Sequence, residues 1–513
     1  MRLIRRALFV LAATAATIAA LPAQTSFAAE GADTMIVGTM WEALPLAMAP
    51  RRSRFFNESE ILDTLIKLDH EMNMVPGLAT SWTRVSPTVW TFELRDGVTF
   101  HDGTPLDAAA VKNSLERVIG LLPYAADLLS IKTITTKGRL EVEIETAEPY
   151  AALANQLTDA FTVIYAPSSF DAEGKYVKPV GTGPWQLVEY LKQDRTIVER
   201  FDDYWGEAPA LERIEYRFIP DHNARTLALE TGEIDFADNL LPADVARLEA
   251  DDNFKVYAEP ASGLFYGAFN TTGDTPLADG RVRQALNLLV DRELVVTAAL
   301  DGVGIPAWQF FGPQFAWAPK VEPYTVDPEK AAALLEEAGY TKTDGKWTKD
   351  GEQMTLGILS YTSRTEMAAI SEVLAALLDR EGIASELQLF TWEGMLDLVR
   401  PGQYDISVVF WTPEMTAHPD LHLKSQFHSK AEMNYQGWAN ARFDELVDTG
   451  RGLDEGAEWV ETYREALTIL QDDAPIIPLV HNVFTAASTA KLEGYRVHPS
   501  GFFYDFKSVT KVE

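Results

Sequence analysis

Three of the chain's eight histidines, His418, His422 and His428, fall within eleven residues of one another. Spacings of four and six suit imidazoles converging on one soft or borderline cation, or on a metal chelate. The neighbouring Pro413 and Pro419 equally suit a polar loop with incidental histidines. A second constellation is electrostatic. Arg364 follows a predicted strand, in the loop leading to a helix, where a guanidinium can hold a carboxylate with two parallel hydrogen bonds. Glu414 follows the apolar run that ends at Trp411, placed to receive a ligand amine, and Trp392 and Trp411 offer apolar faces nearby. A structural ion pair with core aromatics is the alternative for the same residues.

Sequence signals for catalysis are scarce. His70-Glu71-Met72-Asn73-Met74 begins like a zinc-protease motif, but Met74 stands where the second histidine belongs. Gly302-Val303-Gly304-Ile305-Pro306-Ala307 has the spacing of a dinucleotide fingerprint, yet it follows a helix and carries a proline where the phosphate-binding helix should begin. There is no nucleophile elbow and no Walker A lysine. There is also no cysteine, which excludes thiol catalysis, Cys-ligated zinc, iron–sulfur clusters and disulfides.

The 513 residues exceed the ~150 of a typical single domain by about threefold. With 47% hydrophobic and 11% aromatic residues the chain can fill large cores, and only 23% is charged, which excludes disorder. Forty-four basic against 76 acidic residues give −32, a field that repels phosphate and excludes nucleic acid as a partner. Arg2, Arg5 and Arg6, the apolar run Ala7 to Leu21, and small Ser26 and Ala28 mark residues 1–28 as a cleaved signal peptide. The expectation is export to a periplasm. Without cysteine there is no lipid attachment point, and hence no membrane anchor.

The elements that must position these side chains follow from periodicity. Val89 to Leu94 alternates, and a turn at Asp96-Gly97 followed by Val98 and Phe100 predicts a hairpin. Asp107 caps a predicted helix with Val111, Leu115, Val118 and Ile119 on one face and Gly120 as its stop. Leu140, Val142 and Ile144, and later Ile214, Tyr216 and Phe218, read as strands. Arg281 to Leu300 reads as a helix with a broad apolar stripe, and Asp327-Pro328-Glu329 opens another that stops at Gly339. Strand 354–359, helix 366–381 and strand 383–390 make a βαβ unit, and 406–411 a buried strand of the same sheet. A long helix, 457–471, precedes an extended 476–480. The class is α/β, with one β-rich unit and one built on βαβ.

Taken in order, these segments resemble the periplasmic solute-binding proteins of the peptide/nickel class of ABC importers, extracellular solute-binding family 5. The resemblance rests on Val75-Pro76-Gly77-Leu78-Ala79, on Trp90 through Pro105, on Pro179-Val180-Gly181-Thr182-Gly183-Pro184-Trp185, on Tyr204-Trp205-Gly206 and on Gly232-Glu233-Ile234-Asp235. Arg281 through Asn287, Asp327-Pro328-Glu329-Lys330 and Ala338-Gly339-Tyr340 complete it. It implies a two-lobed periplasmic-binding-protein fold (type II, cluster C) with an extra subdomain in lobe one. Lobe one is expected over 29–275 with the subdomain at 68–185, lobe two over 276–486, and a tail, 487–513, returning to lobe one. His101 and Asp102 fall in this scaffold block, with a structural role.

The resemblance implies a binding protein, not an enzyme, that captures a di- or oligopeptide or peptide-like solute between its lobes. No cofactor is implied. The expected partners are that solute and an ABC permease of the inner membrane, and the chain is expected to be a monomer. Trp411-Thr412-Pro413-Glu414 is similar to the family's tryptophan-plus-acid pairing for a peptide amine, with Glu for the usual Asp. Arg364 would hold the carboxylate, and Trp41, Trp392 and Trp411 the apolar parts. The first strand departs from the family, since Thr39-Met40-Trp41-Glu42-Ala43 lacks the common Leu-Asp-Pro. Tyr361 through Glu366 is similar to the nickel branch, which leaves a second reading open: a receptor for a nickel chelate or opine-type metallophore, using Arg364 with His418, His422 or His428. A third, remote reading is an exported hydrolase on a binding-protein fold.

Overall fold

Two long strands, Phe254–Phe269 and Ile476–Thr489, pair antiparallel along most of their length and join the two halves of one large mixed sheet. The computed structural model that shows this describes residues 33–42, 59–316, 318–413, 415–501 and 503–512; the expected signal peptide 1–28 and Glu414 lie outside them. On one side Ile476–Thr489 hands the pairing to Phe236–Asp238, then Thr34–Thr39, Arg213–Phe218, Arg195–Arg200 and Trp185–Leu191. On the other, Phe254–Phe269 hands it to Ile406–Trp411, Thr355–Tyr361 and Ala384–Phe390. A separate four-stranded antiparallel sheet, ordered Ala79–Ser86, Val89–Leu94, Glu141–Thr146 and Ile131–Thr136, carries helix Ala108–Leu121. Its core of Phe92, Phe100, Val111, Leu115, Val142 and Ile144 is distinct from the cores on the large sheet.

Local chemistry explains most elements. Asp107 caps its helix by accepting from Ala110 N–H at 2.9 Å, and Asp327 caps Pro328–Glu337 through Lys330 N–H at 2.9 Å. The βαβ unit forms as Thr355–Tyr361, Thr365–Arg380 and Ala384–Phe390, with its strands parallel and Met367, Ile370, Leu374 and Leu377 buried. Strand Ile406–Trp411 joins the same sheet, parallel to Thr355–Tyr361.

Three expectations need correction. Val98 and Phe100 do not pair back across Asp96-Gly97. Both edges of Val89–Leu94 are occupied, by Ala79–Ser86 and Glu141–Thr146. The segment instead closes on itself through Leu106 N–H to Val98 O and Phe100 N–H to Thr104 O. The single helix expected over 281–300 is two, Gly280–Leu289 and Arg292–Ala299, because Val290 is extended and Asp291 caps the second through Leu294 N–H. The extended segment at 476–480 continues to Thr489 as one of the two crossing strands.

His101 has the structural role expected of it. Its Nε2–H donates to Gly183 O at 3.0 Å while Nδ1 accepts from Gly181 N–H at 3.3 Å, fixing the Gly-Thr-Gly-Pro turn. Glycine is required there by close backbone approach. A Cβ at Gly181 would stand 2.0 Å from Ile61 O, and one at Gly183 1.9 Å from Glu60 O.

The four-stranded unit is tied to the segment after Ile406–Trp411 by a buried ion pair. Arg451 Nε lies 3.0 Å from Asp420 Oδ1, its guanidinium stacks 4.2 Å over Tyr150, and Tyr150 Oη–H donates to Asp420 Oδ2 at 3.1 Å. Arg451 also donates to Leu128 O at 3.0 Å, and Ala151 N–H to Arg451 O at 2.6 Å. Replacing Arg451 with leucine strands a fully buried carboxylate, and denaturant titration is expected to show a loss of about 3–5 kcal/mol.

Burial also holds three histidines neutral. His418 and His481 are pushed down to about 3 and His498 to about 4, burial being the main cause in each. The unfolded chain protonates such residues near pH ~6.5. Their stabilising contribution is therefore complete above that pH and is lost as pH falls from ~6.5 towards 4 and then 3. Urea midpoints are expected to fall across this window, and less steeply in His481→Gln; an unchanged slope would count against the assignment.

Candidate functional site

Arg364 stands three residues beyond the carboxyl end of strand Thr355–Tyr361 and immediately before helix Thr365–Arg380, the position where open parallel sheets hold ligands. The residue is 9% exposed, and its guanidinium lies 4.1 Å over the Phe410 ring and 5.7 Å from that of Phe265. Its one ion-pair contact among the described residues is long, 3.4 Å from Nη2 to Glu366 Oε1, and its Nε has no protein partner.

Other buried guanidiniums in this chain are treated differently. Arg225 donates to the carbonyls of Asp238, Ile219 and Asn239 at 2.6–2.9 Å. Arg283 donates to Asp473 O and Leu277 O at 2.7 and 2.9 Å. Arg292 donates to Pro478 O, Val290 O and Asn287 Oδ1 at 2.7–3.0 Å. A buried cation needs such partners. Among the described residues Arg364 lacks them, so it retains donor capacity for an outside anion.

Glu366 tempers the site. Burial would raise its carboxyl, but Arg364, the helix N-terminal backbone and His222 outweigh that and hold it below the usual carboxylate range. His222, from helix His222–Glu230 on the opposite half of the sheet, reaches the same helix end. Its Nδ1–H donates to Asn239 O at 2.9 Å, and its Nε2 lies 3.3 Å from Thr365 Oγ1.

A row of aromatic rings continues from Arg364. Tyr361 and Trp392 meet edge to face at 5.0 Å, Trp392 and Trp411 at 6.4 Å, and Trp411 and His422 at 6.1 Å. Trp392 is the first residue of helix Trp392–Val399, capped by Thr391; Trp411 ends strand Ile406–Trp411. Together with Tyr266, Met395 and Gln426 the two tryptophans bound a cavity of about 30 Å³. Tyr266 Oη–H donates to Gln426 Oε1 at 2.9 Å, and the buried Gln426 Nε2 has no protein partner.

The structure thus brings Arg364, Trp392 and Trp411 onto neighbouring elements. Trp41, 39% exposed at the end of the first strand, makes no ring contact with them among the described residues. Its surroundings are instead Tyr190, Leu191 and Phe218.

The three clustered histidines do not converge. His418 is buried against Trp459 and Tyr463, with Trp459 Nε1–H at 3.1 Å from Nε2 and Asp420 N–H at 3.1 Å from Nδ1. His428 turns to Asp448, 3.3 Å from Nε2, while His422 faces Trp411. The π-helical turn Leu423–Phe427 separates His422 from His428. Among the described residues no three His, Cys, Asp or Glu side chains gather as a metal centre, so the spacing argument for a shared cation fails on the folded chain.

Sequence reasoning missed the wall formed by Leu153–Gln156. Asn155 Nδ2–H donates to Thr416 O at 3.4 Å, which places this wall against the segment after Trp411. Gln156 is fully buried and, among the described residues, neither of its amide atoms has a partner, nor has Thr416 Oγ1. Nothing in the sequence around Gln156 marks it.

The profile of the bacterial extracellular solute-binding proteins, family 5, matches residues 73–434. The glutathione-binding protein GsiB of Escherichia coli K12 is 29% identical over 458 residues, covering 86% of this chain and 87% of its own. The dipeptide-binding protein of the same organism is 26% identical over 467 residues, covering 83% and 84%. NikA from Brucella suis, solved with Fe(III)-EDTA, superposes with a TM-score of 0.85 at 25% identity over 93% of this chain and all of that one. With a profile match over most of its length and a two-lobed α/β architecture shared with these structures, the chain belongs to the bacterial extracellular solute-binding proteins of family 5.

Proposed function

We propose that the chain captures a peptide or peptide-like solute in the cleft bounded by Arg364, Trp392 and Trp411 and delivers it to an ABC permease. The observation that carries this reading is Arg364: a nearly buried guanidinium with unspent donors among the described residues, at the carboxyl end of the parallel strands of the sheet, flanked by aromatic faces. A ligand carboxylate supplies the missing acceptor, and the tryptophans take its apolar parts. Glu414 would receive the amine, and Trp41 would stack on a more distant part of the solute. Relatives that bind glutathione and dipeptides support this choice. The chain acts in this reading as a monomer without catalysis, exported through residues 1–28 and carrying no lipid anchor. Its lobes would be 29–275, including the subdomain 68–185, and 276–486, with 487–513 returning to the first.

Capture by closure requires the solute to touch both lobes, since only differential affinity shifts an open–closed equilibrium. The contact of His222 with Thr365 supports an approach of the two halves beside Arg364.

A second reading draws on the likeness to NikA with Fe(III)-EDTA. A metal chelate also presents carboxylates, which Arg364 would hold without any protein ligand to the metal.

Calorimetry against glutathione, alanyl-alanine, a pentapeptide and nickel–histidine separates the two. Binding of a peptide is expected; binding of the chelate alone would overturn the peptide reading. Arg364→Ala is expected to weaken a carboxylate ligand by about 1.5–3 kcal/mol, and unchanged affinity would remove Arg364 from the site.

A further inference from the structure

The strands Phe254–Phe269 and Ile476–Thr489 are paired from Phe254↔Thr489 to Pro260↔Val483 and again from Leu264↔His481, with a register slip between, across Ala261, Ser262 and Gly263, and a smaller shift just after it, between Phe265 and Tyr266. The slip coincides with the change of half. Before it, the strand pair belongs to the half holding Thr34–Thr39; after it, Leu264 to Phe269 pair with Trp411 to Ile406 in the other half. Ala261 and Ser262 in the slip are buried, and Ser262 N–H donates to Pro499 O at 2.6 Å. A bulge bends and twists its strand locally, so relative rotation of the halves concentrates here.

Gly263 closes this bulge with φ +147°, a conformation that side chains rarely adopt. A Cβ there would stand 2.6 Å from Phe410 Cζ and 2.8 Å from Asn482 Cβ. The edge of the Phe410 ring therefore rests directly on the Gly263 backbone, and the ring also packs against Phe265 at 4.7 Å. Over the same ring, at 4.1 Å, lies the Arg364 guanidinium. One side chain thus touches the point where the halves join and the cation placed to grip the solute.

We propose that Phe410 is a positioning residue, seated in the Gly263 notch, that couples the placement of Arg364 to the hinge between the lobes. The notch sets the height of the ring, and the ring sets the height of the guanidinium. When the strand pair flexes at the bulge, the notch moves relative to strand Ile406–Trp411 and the ring follows, so the lobe angle and the reach of Arg364 change together. This rests on the reading of Arg364 as the carboxylate-holding residue, but the hinge part can be read without any ligand.

The experiment uses the absence of native cysteine. Spin labels at Leu227→Cys and Leu389→Cys, both exposed and on opposite halves, report the interlobe distance by double electron–electron resonance. Without ligand, Gly263→Ala is expected to shift and broaden the distance distribution, and the shift is expected to shrink in a Phe410→Leu background, where no ring meets the added methyl and only the contact with Asn482 Cβ and the backbone conformation remain. An unmoved distribution in Gly263→Ala, or an equal shift in both backgrounds, would overturn the proposal. If Gly263→Ala does not fold, Phe410→Leu alone is expected to change the distribution while Phe410→Tyr, which keeps the ring, does not.

With glutathione as the probe, Phe410→Leu is expected to lose about 3- to 30-fold in affinity, the range of a cation–π contact, with Phe410→Tyr retaining it. In an Arg364→Ala background the same substitution is expected to lose nothing further. Equal losses in both backgrounds would show that the ring does not act through Arg364. A wild-type protein that binds neither glutathione nor a dipeptide defeats the ligand reading alone, and the distance series still decides for or against the notch.

Discussion

The antiparallel pairing of Phe254–Phe269 with Ile476–Thr489 is the constraint on which the rest of the molecule depends. Each strand serves two halves of the sheet, so the cores on both halves pack against the same hydrogen-bond ladder. The chain must leave one half, build the other, and return for the ladder to close, which places Leu492, Tyr495, Tyr504 and Phe506 back in the core of the first half. The start of the returning strand is held by arginines. Arg283 binds Asp473 O and Ala474 O, and Arg292 binds Pro478 O while stacking near Trp308 and Tyr324. Burial lowers Arg292 only to about 10, so it stays charged at neutral pH and its donors stay committed.

That treatment of cations gives the site its meaning. Where a guanidinium serves the fold, carbonyl oxygens converge on it, because an unpaired buried charge is costly. Where an acid serves the fold, as Asp420 does, a guanidinium and a tyrosine hydroxyl meet it. Arg364 is kept from water, rests on an aromatic ring and, among the described residues, has only a distant carboxylate. The ring is a weak partner compared with hydrogen-bonded carbonyls. It holds the cation in place without satisfying it, and so leaves it available to a carboxylate that arrives from outside.

Much of this was legible in the sequence, for identifiable reasons. Capping aspartates at 107 and 327 act within three residues, and the periodicity of Met367, Ile370, Leu374 and Leu377 needs only a helix facing a core. Arg364 was legible because its placement follows from the end of one strand and the start of one helix. The misses are long-range. That Val89–Leu94 has no free edge depends on Glu141–Thr146, about fifty residues on. The break at Asp291 looks like one continuous apolar stripe until the cap is seen. The histidines misled because spacing does not report a π-helical turn, or a tryptophan supplied to His418 from forty-one residues away. Gln156 carried no signal, since its significance lies in partners it lacks.

The net charge of −32 then bears on the kind of solute such a site holds. A field of that sign opposes the approach of a free anion, although salt screens it beyond roughly 8 Å at physiological ionic strength. Arg364 acts inside that distance, with Glu366 beside it partly offsetting its charge. A solute that carries only negative charge meets the outer field with no compensation and finds a guanidinium already half-engaged. One that brings its own cation crosses the same field nearly neutral, and in the proposed reading sets its carboxylate on Arg364 with its amine free to face an acid such as Glu366. A zwitterion therefore suits both the long-range and the local electrostatics of this chain, and the ends of a short peptide are such a pair.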